Sequence, residues 1–362
     1  MSDQRITKLA ELLLDYSLQI KKGEKIYLEW KGTSTSPLVE ELIRGACERG
    51  AIPFWVFHDE PFLRAALEST TADQIKGYAK FHTRLMDDMQ CYIGINGSDN
   101  PFEMTTLSSA NTELWTKLYS QPVHTERRIK KTRWCVMRWP SKAMAQMAGV
   151  SHKEFTEFYF NVCLVDYKKM SLEMEPLVAL MNKTDKVRLV ADGTDVSFSI
   201  KNIPAIKCDG HLNIPDGEVY TAPVADSING KIKFNAPALY RGTIFSNITI
   251  TFKDGVAIDV KCDGNNKLLN EIFNIDKGAR RCGEFAIGLN PNIKKPMKDS
   301  LFDEKIDGSI HMAMGQCYDN AQNGNKSANH WDLVLIQTPE YGGGEIYFDG
   351  KLIRKNGKFV SL

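Results

Sequence analysis

A chain of 362 residues with 43% hydrophobic and 25% charged residues has the composition of a globular protein of about two domains. Its 46 Lys and Arg against 45 Asp and Glu leave a formal net charge of +1, which argues against a nucleic-acid binder or a protein held to membranes by charge. No run approaches the ~18 apolar residues of a membrane span, and the opening Met-Ser-Asp-Gln-Arg leads into an amphipathic segment, not a signal core.

Ile6, Leu9, Leu13, Tyr16 and Ile20 recur at helical spacing before Gly23. A strand is predicted at Lys25–Trp30, a helix from Pro37 to Arg49 closed by Gly50, and an apolar strand at Ile52–Phe57. Strand, helix, strand with short joints is a βαβ unit and implies parallel pairing. The pattern continues with a helix across Thr71–Asp88, the strand Cys91–Ile95, a helix near Asn111–Leu118 and the strand Arg133–Trp139. The hydroxyl-rich loop Gly32–Ser36 precedes a helix, where a phosphate can sit, but it lacks Gly-x-x-x-x-Gly-Lys, and the chain has no Gly-x-Gly-x-x-Gly. Helical spacing fills 141–183, where Phe155, Phe158, Tyr159 and Phe160 read as packing.

The texture changes near Lys186. Val187–Ala191, Val196–Ile200, Gly242–Phe252 and Val256–Cys262 are short, rich in Val, Ile and Thr, and divided by Asp-Gly or Lys-Asp-Gly turns, as in antiparallel β. A helix interrupts them at Asn265–Asp276, and Glu345–Phe348 and Lys351–Arg354 close the chain as strands. The expected architecture is an α/β domain with a mainly parallel sheet over 1–185, then an α+β, mostly antiparallel β-rich domain over 186–362. The eight cysteines are scattered with no Cys-x-x-Cys, which suits reduced thiols in a cytoplasmic protein. Cys317 could serve as a soft ligand, though a buried apolar thiol is the simpler reading.

Two of the seven histidines lie between Ile310 and Asp332. His330 and Asp332 are two apart at a strand start, so imidazole and carboxylate share a face. With His311 nearby they match what a divalent metal takes, or else a capped strand end. Three acids stand in unusual settings upstream: Glu218 after a Pro-Asp-Gly turn, Glu284 heading an apolar strand, and Glu304 shortly before His311. Each alone can be a solvated edge. Together, three carboxylates, two histidines and an aspartate are what two adjacent divalent ions require, because a carboxylate can bridge.

The blocks Pro-Asp-Gly-Glu-Val-Tyr-Thr-Ala-Pro (215–223), Gly-Glu-Phe-Ala-Ile-Gly (283–288), Phe-Asp-Glu (302–304), Ile-His-Met-Ala-Met-Gly-Gln-Cys-Tyr (310–318) and His-Trp-Asp (330–332) resemble, in order, those of the M29 metalloaminopeptidases. The resemblance covers the C-terminal half block by block and the N-terminal half more loosely. It implies metal-ligand positions at Glu218, Glu284, His311, His330 and Asp332, a further acid at Glu304 and an active-site tyrosine at Tyr318. It also implies Glu284 as the base acting on a water, and Tyr318 as a donor to the oxyanion. A buried tyrosine bonded to a backbone carbonyl is the structural alternative for Tyr318. The resemblance further implies an α/β domain before a β-rich catalytic domain, two divalent ions (Zn, Co, Mn or Mg), peptide substrates with a free N-terminus, and a homodimer. The rivals are another dinuclear hydrolase, of a non-peptide amide or a phosphoester, and a non-catalytic peptide-binding protein on the same scaffold.

Overall fold

A computed structural model describes residues 3–240, 242–360 and 362. They group into two compact units, Met1–Leu164 with Gly210–Pro215, and Val165–Asp209 with Asp216–Leu362. The β texture begins at Lys186, but the helix Tyr167–Met181 before it belongs to the second unit, so residue 185 falls inside that unit.

In the first unit, strands β1 (Lys25–Lys31), β2 (Ile52–His58), β3 (Cys91–Asn96) and β4 (Arg133–Arg138) pair in parallel in the order β2-β1-β3-β4, and the short strand Asn213–Ile214 adds to β4. Ile26, Leu28, Ile93, Ile95, Cys135 and Met137 are buried on one face and Tyr27 and Tyr92 on the other, as expected of a parallel sheet covered on both faces. The helix Ala72–Asp87 starts on a capping box in which the Thr71 hydroxyl accepts from the Gln74 N–H and the Gln74 side chain reaches back. Sequence periodicity did not predict the helix Glu60–Ser69, whose start is marked by Pro61 in its first turn. Two predicted helices have wider turns than expected. The opening one widens over Leu12–Ser17, and the one from Ser109 widens over Thr116–Ile129, where Pro122 has no N–H to give the regular ladder.

The second unit carries two antiparallel sheets. The larger one runs Ala238–Tyr240, Thr243–Lys253, Asn229–Lys233, Thr194–Ser199, Lys186–Ala191, Glu345–Phe348, Lys351–Lys355 and Lys358–Phe359, with Val256–Asp263 also paired to Thr243–Lys253. The smaller sheet has the order His330–Ile336, Ser309–Gly315, Cys282–Gly288, Glu218–Thr221 and Ile206–Cys208. Its three interior strands are buried at every position, so none shows the alternation of a half-exposed strand. Among the described residues no helix is long and apolar enough to cross a membrane.

Candidate metal centre

The smaller sheet collects the acids and histidines by register. Ala313 lies opposite Glu284 on one side and Asp332 on the other; Gly315 lies opposite His330, Ala286 opposite His311, and Gly288 opposite Glu218. Period-two alternation then puts Glu218, Glu284, His311, His330 and Asp332 on one face, with only Ala and Gly between them. Small residues at these positions leave room for the acid and imidazole side chains to meet. The ladder slips between Cys282 and Glu284, a bulge that adjusts the aim of Glu284. Gly288 admits the 304–306 turn, because a Cβ there would lie 2.3 Å from the Ile306 carbonyl oxygen and 3.0 Å from that of Glu304. That close approach brings Glu304 and Lys305 to the same face.

Glu284 sits at the centre. Its Oε1 is 3.2 Å from His311 Nε2, and its Oε2 is 3.4 Å from His330 Nε2. His311 Nε2 also lies 3.5 Å from Glu218 Oε2 and 4.0 Å from Asp332 Oδ1, while His330 Nε2 is 3.3 Å from Asp332 Oδ1. Donor atoms within 4.8 Å of one another form the sets Glu218–Glu284–His311, Glu284–His330–Asp332 and Glu304–His311–Asp332, each able to hold a metal ion.

The histidines fit that use. His311 Nδ1 is 3.2 Å from the Glu304 carbonyl oxygen and His330 Nδ1 is 2.8 Å from that of Gln316. Donating Nδ1–H to a carbonyl leaves the neutral ring's lone pair on Nε2, the atom turned to the carboxylates, as in metal-ligating histidines. A lone pair facing carboxylates repels them unless a proton or a cation lies between. Burial alone would lower the basicity of His311, yet the charges of Glu218, Glu284 and Asp332 outweigh it and lift its pKa to about 10. His330 is pushed up against the same burial effect by Asp332 and Glu284, and Asp332 is held low by His330 and His311. Burial, with Asp332 and Glu218 nearby, pushes Glu304 up to about 8 despite Lys305. Glu218 Oε2 is buried without a hydrogen-bond partner. The site is built for more positive charge than its side chains supply, and a divalent ion fits it.

Tyr318 follows the His311 strand. Its ring lies 4.9 Å from that of His330 and 5.4 Å from that of Tyr220. The side chain is 48% exposed overall, but around the hydroxyl desolvation, then the charges of Glu284, Asp332, Glu304 and Glu218, keep the phenol protonated. Every acid and histidine singled out in the sequence is brought together here. Three residues of the cluster were not foreseen: Lys305, Asp216 and Cys208. Cys317, weighed as a soft ligand, instead points its thiol at the Asn325 carbonyl oxygen, 3.2 Å away.

The family model of the thermophilic metalloproteases (M29) matches residues 2–359. The chain belongs to the M29 family. It is 31% identical to aminopeptidase T of Thermus thermophilus over 99% of this chain and 98% of that protein. The structure of wild-type AmpT from Thermus thermophilus superposes with a TM-score of 0.82 at 21% identity, covering 99% of each chain. A 2,5-dihydroxypyridine dioxygenase from Pseudomonas putida KT2440 shares the fold at a TM-score of 0.63 and 13% identity, over 100% of this chain and 99% of that one. One scaffold thus hosts different chemistries, and the donor set has to carry the functional argument.

Proposed function

We propose that the protein is a metal-dependent aminopeptidase that removes N-terminal residues from peptides, using two divalent ions held by the acid and histidine cluster. The observation that carries this reading is the shared carboxylate: Glu284 faces His311 with one oxygen and His330 with the other. It can therefore serve two positions, one with Glu218 and His311, the other with His330 and Asp332. Charge supports the count of two. With both imidazoles neutral and Glu304 ionised, as a cation beside it would favour against its pKa of about 8, the carboxylates of Asp216, Glu218, Glu284, Glu304 and Asp332 less the ammonium of Lys305 leave four negative charges, which two divalent ions would neutralise. Glu304, within reach of His311 and Asp332, is a further ligand or an acid beside the second position.

When bound, such ions lower the pKa of a water towards neutrality and polarise a carbonyl. The side chains do the rest. Glu284 is placed to accept the water's proton and return it to the leaving amine. Tyr318, kept protonated by the acids around it, donates its O–H to the developing oxyanion. An acid beside the second position, such as Glu304, would hold a free α-amine, so a substrate with a free N-terminus is expected.

Two finer points belong to this reading. Eight cysteines with no disulfide among the described residues suit a cytoplasmic, reducing setting. The edge strand β2 exposes Ile52, Phe57 and, at 57%, Trp55, which supports a homodimer. The deciding experiment compares release of free amino acid from a dipeptide amide and its N-acetylated form, with and without chelator. Cleavage of the free form only, abolished by chelation and restored by Zn²⁺, Co²⁺, Mn²⁺ or Mg²⁺, is the expected result. Equal turnover of both forms means an endopeptidase or another amidohydrolase, and turnover indifferent to chelator removes the metal from the reaction.

A further inference from the structure

Lys305 has no exposed surface, a setting a lysine occupies only when paired. Its Nζ lies 2.7 Å from Glu218 Oε1, 2.5 Å from Glu304 Oε1 and 3.6 Å from Asp216 Oδ1. The ammonium thus donates hydrogen bonds to Glu218 and Glu304, and Asp216 faces it at ion-pair distance.

Two features follow from this placement. Glu218 has one oxygen committed to the ammonium, so only Oε2 is turned towards His311. The buried residues Cys208, Asp216 and Glu218 also offer a sulfur and two oxygens within 4.8 Å of one another, a fourth set able to hold a metal. A thiolate with two carboxylates suits zinc or cobalt. Lys305 reaches both carboxylates of that set, so an ion there would have to share them with a fixed positive charge.

We propose that Lys305 is a positioning residue that serves as a permanent monovalent cation in the Cys208–Asp216–Glu218 corner, aiming Glu218 Oε2 at the histidine side and keeping a divalent ion out of the corner. This rests on the metal-binding function proposed for the histidine-bearing sets. A lysine suits the task because its charge is compact, directional through three donors and needs no loading from solution. A corner left to a metal would draw Glu218 away from His311 and compete with the productive positions.

The test is Co²⁺ loading of the chelator-stripped full chain, read by elemental analysis after desalting and by near-ultraviolet absorption, where thiolate-to-cobalt charge transfer reports a cysteine ligand. Wild type and Cys208→Ser are expected to take up about two equivalents each, without a thiolate band. Lys305→Met is expected to gain one equivalent and the band, and Lys305→Met/Cys208→Ser to lose both, with circular dichroism as the folding control. A folded Lys305→Met protein with wild-type stoichiometry and no band overturns the proposal. So does a thiolate band in wild type that Cys208→Ser removes, and this arm decides even where Lys305→Met does not fold. Wild-type protein that takes up no Co²⁺ overturns the proposed metal function itself, a different failure.

Discussion

Each unit buries a cluster of titratable groups, and the two clusters are balanced in opposite ways. In the first unit Glu29 of β1 accepts from both terminal nitrogens of Arg128, which also lies 3.4 Å from the Tyr92 hydroxyl and covers the Tyr92 ring. One carboxylate meets one guanidinium, with the His58 ring nitrogen 3.5 Å from the same carboxylate, and the surrounding tyrosines are neutral. There burial works against the charged form of histidine: His82 falls to about 4 and His124 is also lowered. In the second unit five carboxylates meet one lysine, and the histidines are raised instead. A buried pair with matched charge is an end in itself. A buried cluster with surplus negative charge calls for cations, and the direction in which its histidines move separates the two cases.

The largest effect is expected where the surplus is shared. Glu284→Gln keeps the shape but removes the charge that serves both positions and the proton acceptor. We expect kcat to fall by about 10²–10⁴-fold or more, with the fold retained. Metal content measured on the same preparation separates the two roles: loss of rate with metal kept assigns the base, and loss of both assigns the ligand. Retention of a tenth of the wild-type kcat removes Glu284 from the centre of the site.

The matched cluster should respond in stability instead of rate. Arg128→Met leaves Glu29 largely buried without its partner, at an expected cost of about 3 kcal/mol. The urea midpoint should drop equally with and without chelator, since no metal is involved. A drop seen only in the metal-loaded protein would erase the contrast between the clusters.

Tyr318→Phe lies next in size. Loss of one oxyanion donor should lower kcat by about 10²–10³ with little change in metal content. An unchanged rate would return Tyr318 to a packing role against Tyr220 and His330.

The sequence reveals this contrast unevenly. The His330 and Asp332 pair is readable because a period of two at a strand start needs no tertiary information. The βαβ order and the parallel sheet are readable from short joints and apolar runs. Glu218, Glu284 and Glu304 are only suggestive one by one, since an acid at the edge of an apolar strand is usually solvated. Register made them converge, and register depends on Ala286, Gly288, Ala313 and Gly315 lying opposite them. Lys305 was missed because a lysine beside a glutamate reads as an ordinary surface charge. Its burial is set by the approach that Gly288 allows, which no local pattern encodes. The Glu29–Arg128 pair joins residues 99 apart and was equally invisible. The helix Glu60–Ser69 escaped prediction because it follows directly on the apolar β2, leaving Pro61 as its main signal.

The smallest prediction tests the balanced cluster through pH. His82 Nδ1 lies 2.6 Å from the Tyr119 hydroxyl, and the ring also packs at a tilt against that of Tyr78. Burial lowers its basicity first and Arg128 lowers it further, with Glu29 opposing, giving about 4 against an ordinary 6.5. Between those values the unfolded chain binds a proton that the folded protein refuses. Stability therefore falls as pH drops from about 6.5 towards 4 and is fully present above that window. The whole displacement corresponds to about 3 kcal/mol at 1.36 kcal/mol per pH unit. His82→Gln keeps a polar partner for Tyr119 and cannot titrate. Urea midpoints measured between pH 5 and 7.5 on the chelator-treated protein should rise with pH in wild type and rise less in His82→Gln. Identical slopes would mean that the imidazole is protonated in the folded unit, and that this cluster, too, carries charge it has not matched.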